Sequence, residues 1–257
     1  DNRMPYISGP QWLGDNVLFN RHVLAIAGTH GKTSTTAMLA FILNSAGLRP
    51  GYLIGGVPIA SDSSADLGDS EFFVVEADEY DSAFFDKRSK FLHYHSNTLV
   101  INNIEYDHAD IFGDLDSIKK QFHHLIRTLP ESGTVIFPAG DEAIESVLEA
   151  GCWSNQSRYG HLVGDWRYHV ADQSAKFEIL KRIFLIGRIG RPTIIRRPST
   201  DHPTTVRRPP DEKKFSEKQS VSQMIDLVMT INSVQKSSKS ELSSTTFGHF
   251  KVCVYPG

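Results

Sequence analysis

The sequence is poor in cysteine: two thiols, Cys152 and Cys253, stand far apart in 257 residues. That excludes a disulfide framework, and the pair reads as free thiols in a reducing cytosol. No apolar run approaches the roughly 20 residues of a membrane span, and the first residues lack a basic-then-apolar secretion signal. The expected localisation is cytoplasmic. Net charge is also scarce, since 27 basic against 30 acidic side chains leave −3 and a pI near 6.4. Nothing global pulls the chain toward nucleic acid or lipid, so partners must be sought locally. The length still allows a proper core in one large or two small domains.

What the chain does have is Val23-Leu24-Ala25-Ile26-Ala27, an apolar run too short for a helix that ends at Gly28 and reads as a buried strand. Gly28-Thr29-His30-Gly31 then leads into Lys32-Thr33-Ser34-Thr35-Thr36 and a helical pattern with Met38, Leu39, Ile42, Leu43 and Ala46 on one face. Strand, glycine-bounded loop, lysine, hydroxyls and helix in that order predict a nucleoside triphosphate site. Glycines let backbone N–H groups turn toward phosphate oxygens, and the helix N-terminus adds partial positive charge. Lys32 can reach the outer phosphates, and Thr33 offers a hydroxyl to magnesium. The loop is a short variant, because Ile26 stands where the usual pattern has its first glycine.

A second apolar run, Phe72-Phe73-Val74-Val75, ends in Glu76-Ala77-Asp78-Glu79-Tyr80-Asp81. A carboxylate at the carboxyl end of a parallel strand sits where ligands and their metals collect, so Glu76 is the first metal candidate. For Asp78, Glu79 and Asp81 a solvated role is expected. Ala83 to Phe91 interleaves aromatics with Asp86, Lys87, Arg88 and Lys90, which suits either an anionic substrate group or a solvated loop. Thr98-Leu99-Val100-Ile101-Asn102 reads as a further strand, followed by Asn103-Ile104-Glu105-Tyr106-Asp107-His108. His108 is a candidate for metal or phosphate by its position, although a lone histidine after a strand is more often structural.

Residues 1–22 read as a connecting loop and, lacking an initial Met, as the start of a piece cut from something longer. Leu115, Ile118, Phe122, Leu125, Ile126 and Leu129 fall at helical spacing behind Asp114 or Asp116, Thr134 to Phe137 reads as a strand, and Asp141 to Ala150 as a helix. This alternation predicts an α/β fold of the P-loop type, with a doubly wound, mostly parallel sheet flanked by helices. From Cys152 to about Leu180 short alternating stretches predict a small antiparallel subsheet. Beyond about Phe184, basic residues, prolines and serines without periodicity predict a disordered C-terminal tail, with a short helix near Val221–Ile231.

In order and spacing, Ala27-Gly28-Thr29-His30-Gly31-Lys32-Thr33-Ser34-Thr35, Glu76-Ala77-Asp78-Glu79 and Asn103-Ile104-Glu105-Tyr106-Asp107-His108 resemble the central ATP-binding domain of the Mur ligases. Ser8-Gly9-Pro10-Gln11-Trp12-Leu13, Ile54-Gly55-Gly56-Val57-Pro58 and Tyr80 to Phe91 resemble the branch that joins a murein tripeptide to UDP-N-acetylmuramate in peptidoglycan recycling. The likeness runs from about Tyr6 to about Leu180. It implies ATP-dependent amide synthesis: the UDP-N-acetylmuramate carboxylate takes the γ-phosphoryl group of ATP, and the tripeptide amine then displaces phosphate from the acyl phosphate. By the family pattern the phosphate-binding segment is Gly28, Thr29, His30, Gly31, Lys32, Thr33 and Ser34, with Asn103 on the same edge. Thr33 and Glu76 hold one Mg2+, Glu76 and His108 lie near a second, and Lys32, Glu76 and His108 are the catalytic candidates.

The resemblance divides the chain into 1–22, a remnant of the UDP-sugar domain and linker, 23–183, the central domain, and 184–257, a divergent tail. The family's adenine-side histidine-asparagine segment and its C-terminal domain are not found. The break after Ile189 is expected to reflect an altered reading frame or truncated gene model. Such a chain is expected to bind ATP weakly and not to complete ligation alone. The rival expectations are the sibling that adds L-alanine to the same UDP-sugar and an inactive ATP-binding remnant; a small-molecule kinase finds no acceptor motif.

Overall fold

A computed structural model describes residues 5–57, 63–106, 112–161, 163–170, 177–181 and 194–195. Twelve strands and four α-helices are present among them: α1 (Gly9–Leu13), β1 (His22–Ala27), α2 (Lys32–Ser45), β2 (Gly51–Leu53), β3 (Ala65–Asp66), β4 (Phe72–Glu76), β5 (Asp81–Ala83), β6 (Asp86–Ser89), β7 (Thr98–Ile101), α3 (Leu115–Ile126), β8 (Thr134–Pro138), α4 (Glu142–Glu149), β9 (Asn155–Gly160), β10 (Trp166–Val170), β11 (Phe177–Lys181) and β12 (Ile194–Ile195).

The ten-stranded sheet runs β3-β2-β4-β1-β7-β8-β9-β10-β11-β12. Strands β2, β4, β1, β7, β8, β9 and β10 pair in parallel, and β3, β11 and β12 are antiparallel at the edges. β1 lies near the middle with helices covering both faces, which is why its sequence is apolar without alternation. One face packs Leu39, Ile42 and Leu43 of α2 on Leu24, Ile26 and Val74. The other packs Phe122 and Leu125 of α3 and Ile144 of α4 on Val23, Ala25, Leu99 and Val135. Asp114 and Asp141 cap α3 and α4, accepting from the N–H groups of Ser117 and Ile144.

After β1 the chain goes first to β2 and β4 on one side and only later to β7 on the other. That reversal opens a crevice at the carboxyl ends of β1, β4 and β7, the usual ligand position in such sheets. The predicted doubly wound, mostly parallel sheet is thus present.

Two expectations are corrected, and a third is borne out. Residues 9–18 are not a loop: α1 runs into a π-helical turn, Gly14–Leu18, because Ser8 caps the first turn and Leu13, Val17 and Leu18 dock on the core. In the span 152–180 the stretches Trp166–Val170 and Phe177–Lys181 pair antiparallel as expected, as β10 and β11 at the edge of the main sheet, while β9 and β10 extend its parallel part. A separate small antiparallel sheet is the β5–β6 hairpin, in the charged and aromatic stretch. Of the expected tail, Ile194 and Ile195 pair as a strand. The rest of it, including the helix expected near Val221, lies outside the described residues.

Candidate active site

The loop after β1 can fold as it does because two glycines take backbone angles that other residues avoid: φ is +130° at Gly28 and +79° at Gly31. At Gly28 a Cβ would stand 3.0 Å from the Cβ of Asn102 and 3.1 Å from the backbone nitrogens of Asn102 and Asn103. The loop therefore lies directly on the end of β7. Asn103 Oδ1 accepts the His30 N–H at 2.8 Å, and Asn102 Nδ2 donates to His30 O and Thr35 Oγ1, both at 3.2 Å. Thr29 Oγ1 is 2.9 Å from the Glu105 N–H that it accepts. Each bond holds the loop open from beneath. His30 itself is exposed, with Nε2 3.7 Å from Glu105 Oε2, and Ser34 faces solvent on the first turn of α2.

Lys32 begins α2 and folds back under the loop, only 8% exposed. Its Nζ donates to Gly28 O at 2.8 Å and to Thr29 O at 3.4 Å and pairs with Glu79 Oε2 at 3.2 Å. Asp78 Oδ1 lies 3.9 Å from the same nitrogen. Glu79, expected to be solvated, is 4% exposed. Past the end of β4 burial alternates: Ala77 and Glu79 turn inward while Glu76, Asp78 and Tyr80 are partly exposed.

Thr33 donates from Oγ1 to Glu76 Oε1 at 2.7 Å, and Glu76 Oε2 accepts the Gly55 N–H at 2.7 Å. A hydroxyl and a carboxylate oxygen thus meet beside the loop lysine, a hard-oxygen pair that suits Mg2+. No group of three or more His, Cys, Asp or Glu forms a metal cage among the described residues. His108 and its neighbours 107–111 lie outside the described residues.

The basic stretch separates into two kinds of cation. Arg88 is held by Asp86 through two bonds of 2.8 and 2.9 Å, and Lys87 by Asp81 at 2.8 Å. Lys90 stands 3.5 Å from Asp78, over the Tyr80 ring, and lines a cleft of about 430 Å³ with Trp12, Leu13, Leu53, Glu76 and Tyr94. Burial, with the Asp78 and Glu76 carboxylates, pushes the Tyr94 hydroxyl well above its ordinary pKa, so it stays neutral. Glu76 therefore borders both the glycine loop after β1 and an amphipathic cleft.

The chain matches the family model described as Mur ligase middle domain over residues 26–180. Two curated relatives are UDP-N-acetylmuramate–L-alanyl-γ-D-glutamyl-meso-2,6-diaminoheptandioate ligases. That of Escherichia coli K12 is 52% identical over 181 residues, covering 70% of this chain and 39% of that protein. That of Haemophilus influenzae is 56% identical over 160 residues, covering 62% and 35%. The crystal structure of the corresponding ligase from Neisseria meningitides aligns with a TM-score of 0.64 at 50% identity, over 69% of this chain and 57% of that one. The chain thus spans less than two fifths of the length of those two curated relatives. With the glycine loop, the Glu76 carboxylate and more than half of the chain inside the matched span, the protein belongs to the Mur ligase family.

Proposed function

We propose that the chain is the nucleotide-binding and phosphoryl-transfer part of an ATP-dependent ligase that joins L-alanyl-γ-D-glutamyl-meso-diaminopimelate to UDP-N-acetylmuramate. The observation that carries this reading is the meeting of Lys32, Thr33 and Glu76 at one sheet edge, within a span 52–56% identical to two ligases of that name. ATP lies along the loop Gly28–Ser34, its phosphates on backbone N–H groups at the start of α2. Lys32 offsets charge on the outer phosphates, and Asn103 keeps the loop in shape by holding the His30 N–H.

Thr33 and Glu76 would hold Mg2+, which when bound neutralises phosphate charge and lets two anions approach. His108 is proposed as a further ligand. The cleft beside Glu76 takes the acceptor, with Lys90 facing its carboxylate and Trp12 and Leu53 its ring. The acceptor carboxylate attacks the γ-phosphorus, ADP leaves, and the tripeptide amine then displaces phosphate from the acyl phosphate to form the amide. Such a reaction draws on cytoplasmic ATP and UDP-sugar.

The test is twofold. Calorimetry must show binding of Mg·ATP by this chain that Lys32→Met removes; no binding by the unmodified chain overturns the reading. In the full-length parent protein, phosphate release measured with UDP-N-acetylmuramate must then depend on the tripeptide. Dependence on L-alanine instead would assign the sibling activity.

A further inference from the structure

We propose that Glu79 competes with the triphosphate for Lys32, and that this competition makes nucleotide binding conditional on a divalent cation. The inference rests on the nucleotide-binding reading above.

An ammonium group has three N–H donors. Lys32 directs its donors to Gly28 O at 2.8 Å, Thr29 O at 3.4 Å and Glu79 Oε2 at 3.2 Å. A phosphate oxygen that reaches Lys32 must displace one of them. The two carbonyls belong to a loop fixed by the Gly28 turn and by Asn102 and Asn103. Glu79 is a side chain beyond the end of β4, with rotatable bonds of its own. Glu79 is the partner that yields.

Once displaced, its carboxylate stays close by, because at 4% exposure it has no direct way to solvent. Asp78, 3.9 Å from the same lysine, and Glu76, bonded to Thr33, add their charges to the surroundings. Among the described residues the lysines here are Lys32 and Lys90, and Lys90 already faces Asp78 at 3.5 Å. A bare triphosphate would enter a pocket whose fixed charge is of its own sign, and in a poorly solvated setting like charges repel strongly. A divalent ion between Glu76 and the phosphates reverses that local sign. The metal–nucleotide pair can then displace Glu79 where the free nucleotide does not. A purely structural Glu79 would instead affect both forms of the nucleotide alike.

The experiment measures ATP affinity of the chain by calorimetry in excess Mg2+ and in EDTA, for the unmodified protein, Glu79→Gln and Glu79→Asp. The glutamine keeps the shape and an acceptor for Lys32 while removing the charge. In Glu79→Gln the metal-free affinity should rise about tenfold, and the Mg·ATP affinity should change by less than about threefold. Glu79→Asp retains the charge and should retain the metal dependence. An unchanged ratio in Glu79→Gln, or a parallel loss of both affinities, overturns the proposal. Absence of Mg·ATP binding in the unmodified chain overturns the nucleotide reading instead. If Glu79→Gln does not fold by circular dichroism, glutamate-carboxyl 13C NMR of the unmodified chain decides. The Glu79 resonance, assigned by its loss in Glu79→Asp, must move when Mg2+ and a non-hydrolysable ATP analogue are added together and stay in place with the analogue alone; any other response overturns it.

Discussion

Thr33 and Glu76 are 43 residues apart in the chain yet share a 2.7 Å hydrogen bond from the Thr33 hydroxyl to Glu76 Oε1. The other carboxylate oxygen is fixed by the Gly55 N–H at 2.7 Å. A carboxylate oxygen pair has about four lone-pair sites, so both bonds orient the group and still leave acceptors for a metal. Gly55 is part of this device. A Cβ there would come within 3.0 Å of Glu76 Oε2.

The pairing predicts that Glu76→Gln and Thr33→Val each lower Mg·ATP affinity by about tenfold or more, the scale of one lost charge-assisted contact. Gly55→Ala should lower it too, through displacement of the carboxylate alone. Isothermal titration at varied Mg2+ checks this. Affinity for Mg·ATP equal to that of the unmodified chain in all three variants would remove Glu76 from the metal site.

The floor of the loop makes a second prediction. Asn103→Ala removes the acceptor for the His30 N–H, a part-buried bond whose loss costs about 1 kcal/mol. Gly28→Ala adds a methyl at φ +130° against the backbone nitrogens of Asn102 and Asn103. We expect Asn103→Ala to melt a few degrees lower and Gly28→Ala to melt lower still, both with weakened nucleotide binding in the same titration. A Gly28→Ala protein as stable as its parent would mean that the loop does not sit on β7 as described.

How far this was legible in the sequence differs from element to element. The loop could be read because glycine, lysine and hydroxyl positions are dictated locally by backbone angles and charge. The two helices behind Asp114 and Asp141 were equally plain, since cap and apolar stripe lie within one segment. Glu79 was misjudged because burial of an acid depends on a partner 47 residues away, which no local pattern displays. The hairpin β5–β6 was missed for a related reason. Its stability comes from Asp86 gripping Arg88 and from Ser8 and His93 closing around that carboxylate, contacts made between three separate segments. The direction of β9 and β10 depends on neighbours in the sheet, and an isolated alternating strand does not reveal whether it will pair in parallel.

The buried pair of Lys32 and Glu79 predicts a stability effect separable from ligand binding. Replacing Lys32 alone removes the ammonium 3.2 Å from Glu79, in a site where the glutamate side chain is 3% exposed. Breaking a buried pair from one side costs about 3–5 kcal/mol, whereas replacing both partners is far milder. Lys32→Met should therefore lower the melting temperature sharply, and Lys32→Met combined with Glu79→Gln should restore most of it without restoring ATP binding. Additive losses in the double variant would show that the two side chains are not coupled.

Acid should act on the other ion pair. The Arg88 guanidinium, hydrogen-bonded to Asp86, holds that carboxyl down at about 2. An acid with a depressed folded pKa contributes stability that is complete above the ordinary carboxylate range and is lost as pH falls from about 4 toward 2. His93 packs against the same carboxylate, 3.1 Å away but not aligned for a hydrogen bond. Burial lowers the His93 pKa first, Arg88 and His95 push the same way, and Asp86 opposes them. Because the unfolded chain then binds the histidine proton more readily than the folded one, stability should also decline as pH falls below about 6.5. Melting temperatures measured from pH 8 to pH 3 should therefore fall in two stages. Asp86→Asn should flatten the lower stage and leave a decline below pH 6.5, whereas His93→Gln should remove the upper one. A lower stage of unchanged size in Asp86→Asn would assign acid sensitivity to other carboxylates and reduce the Ser8, Asp86 and Arg88 cluster to a surface contact.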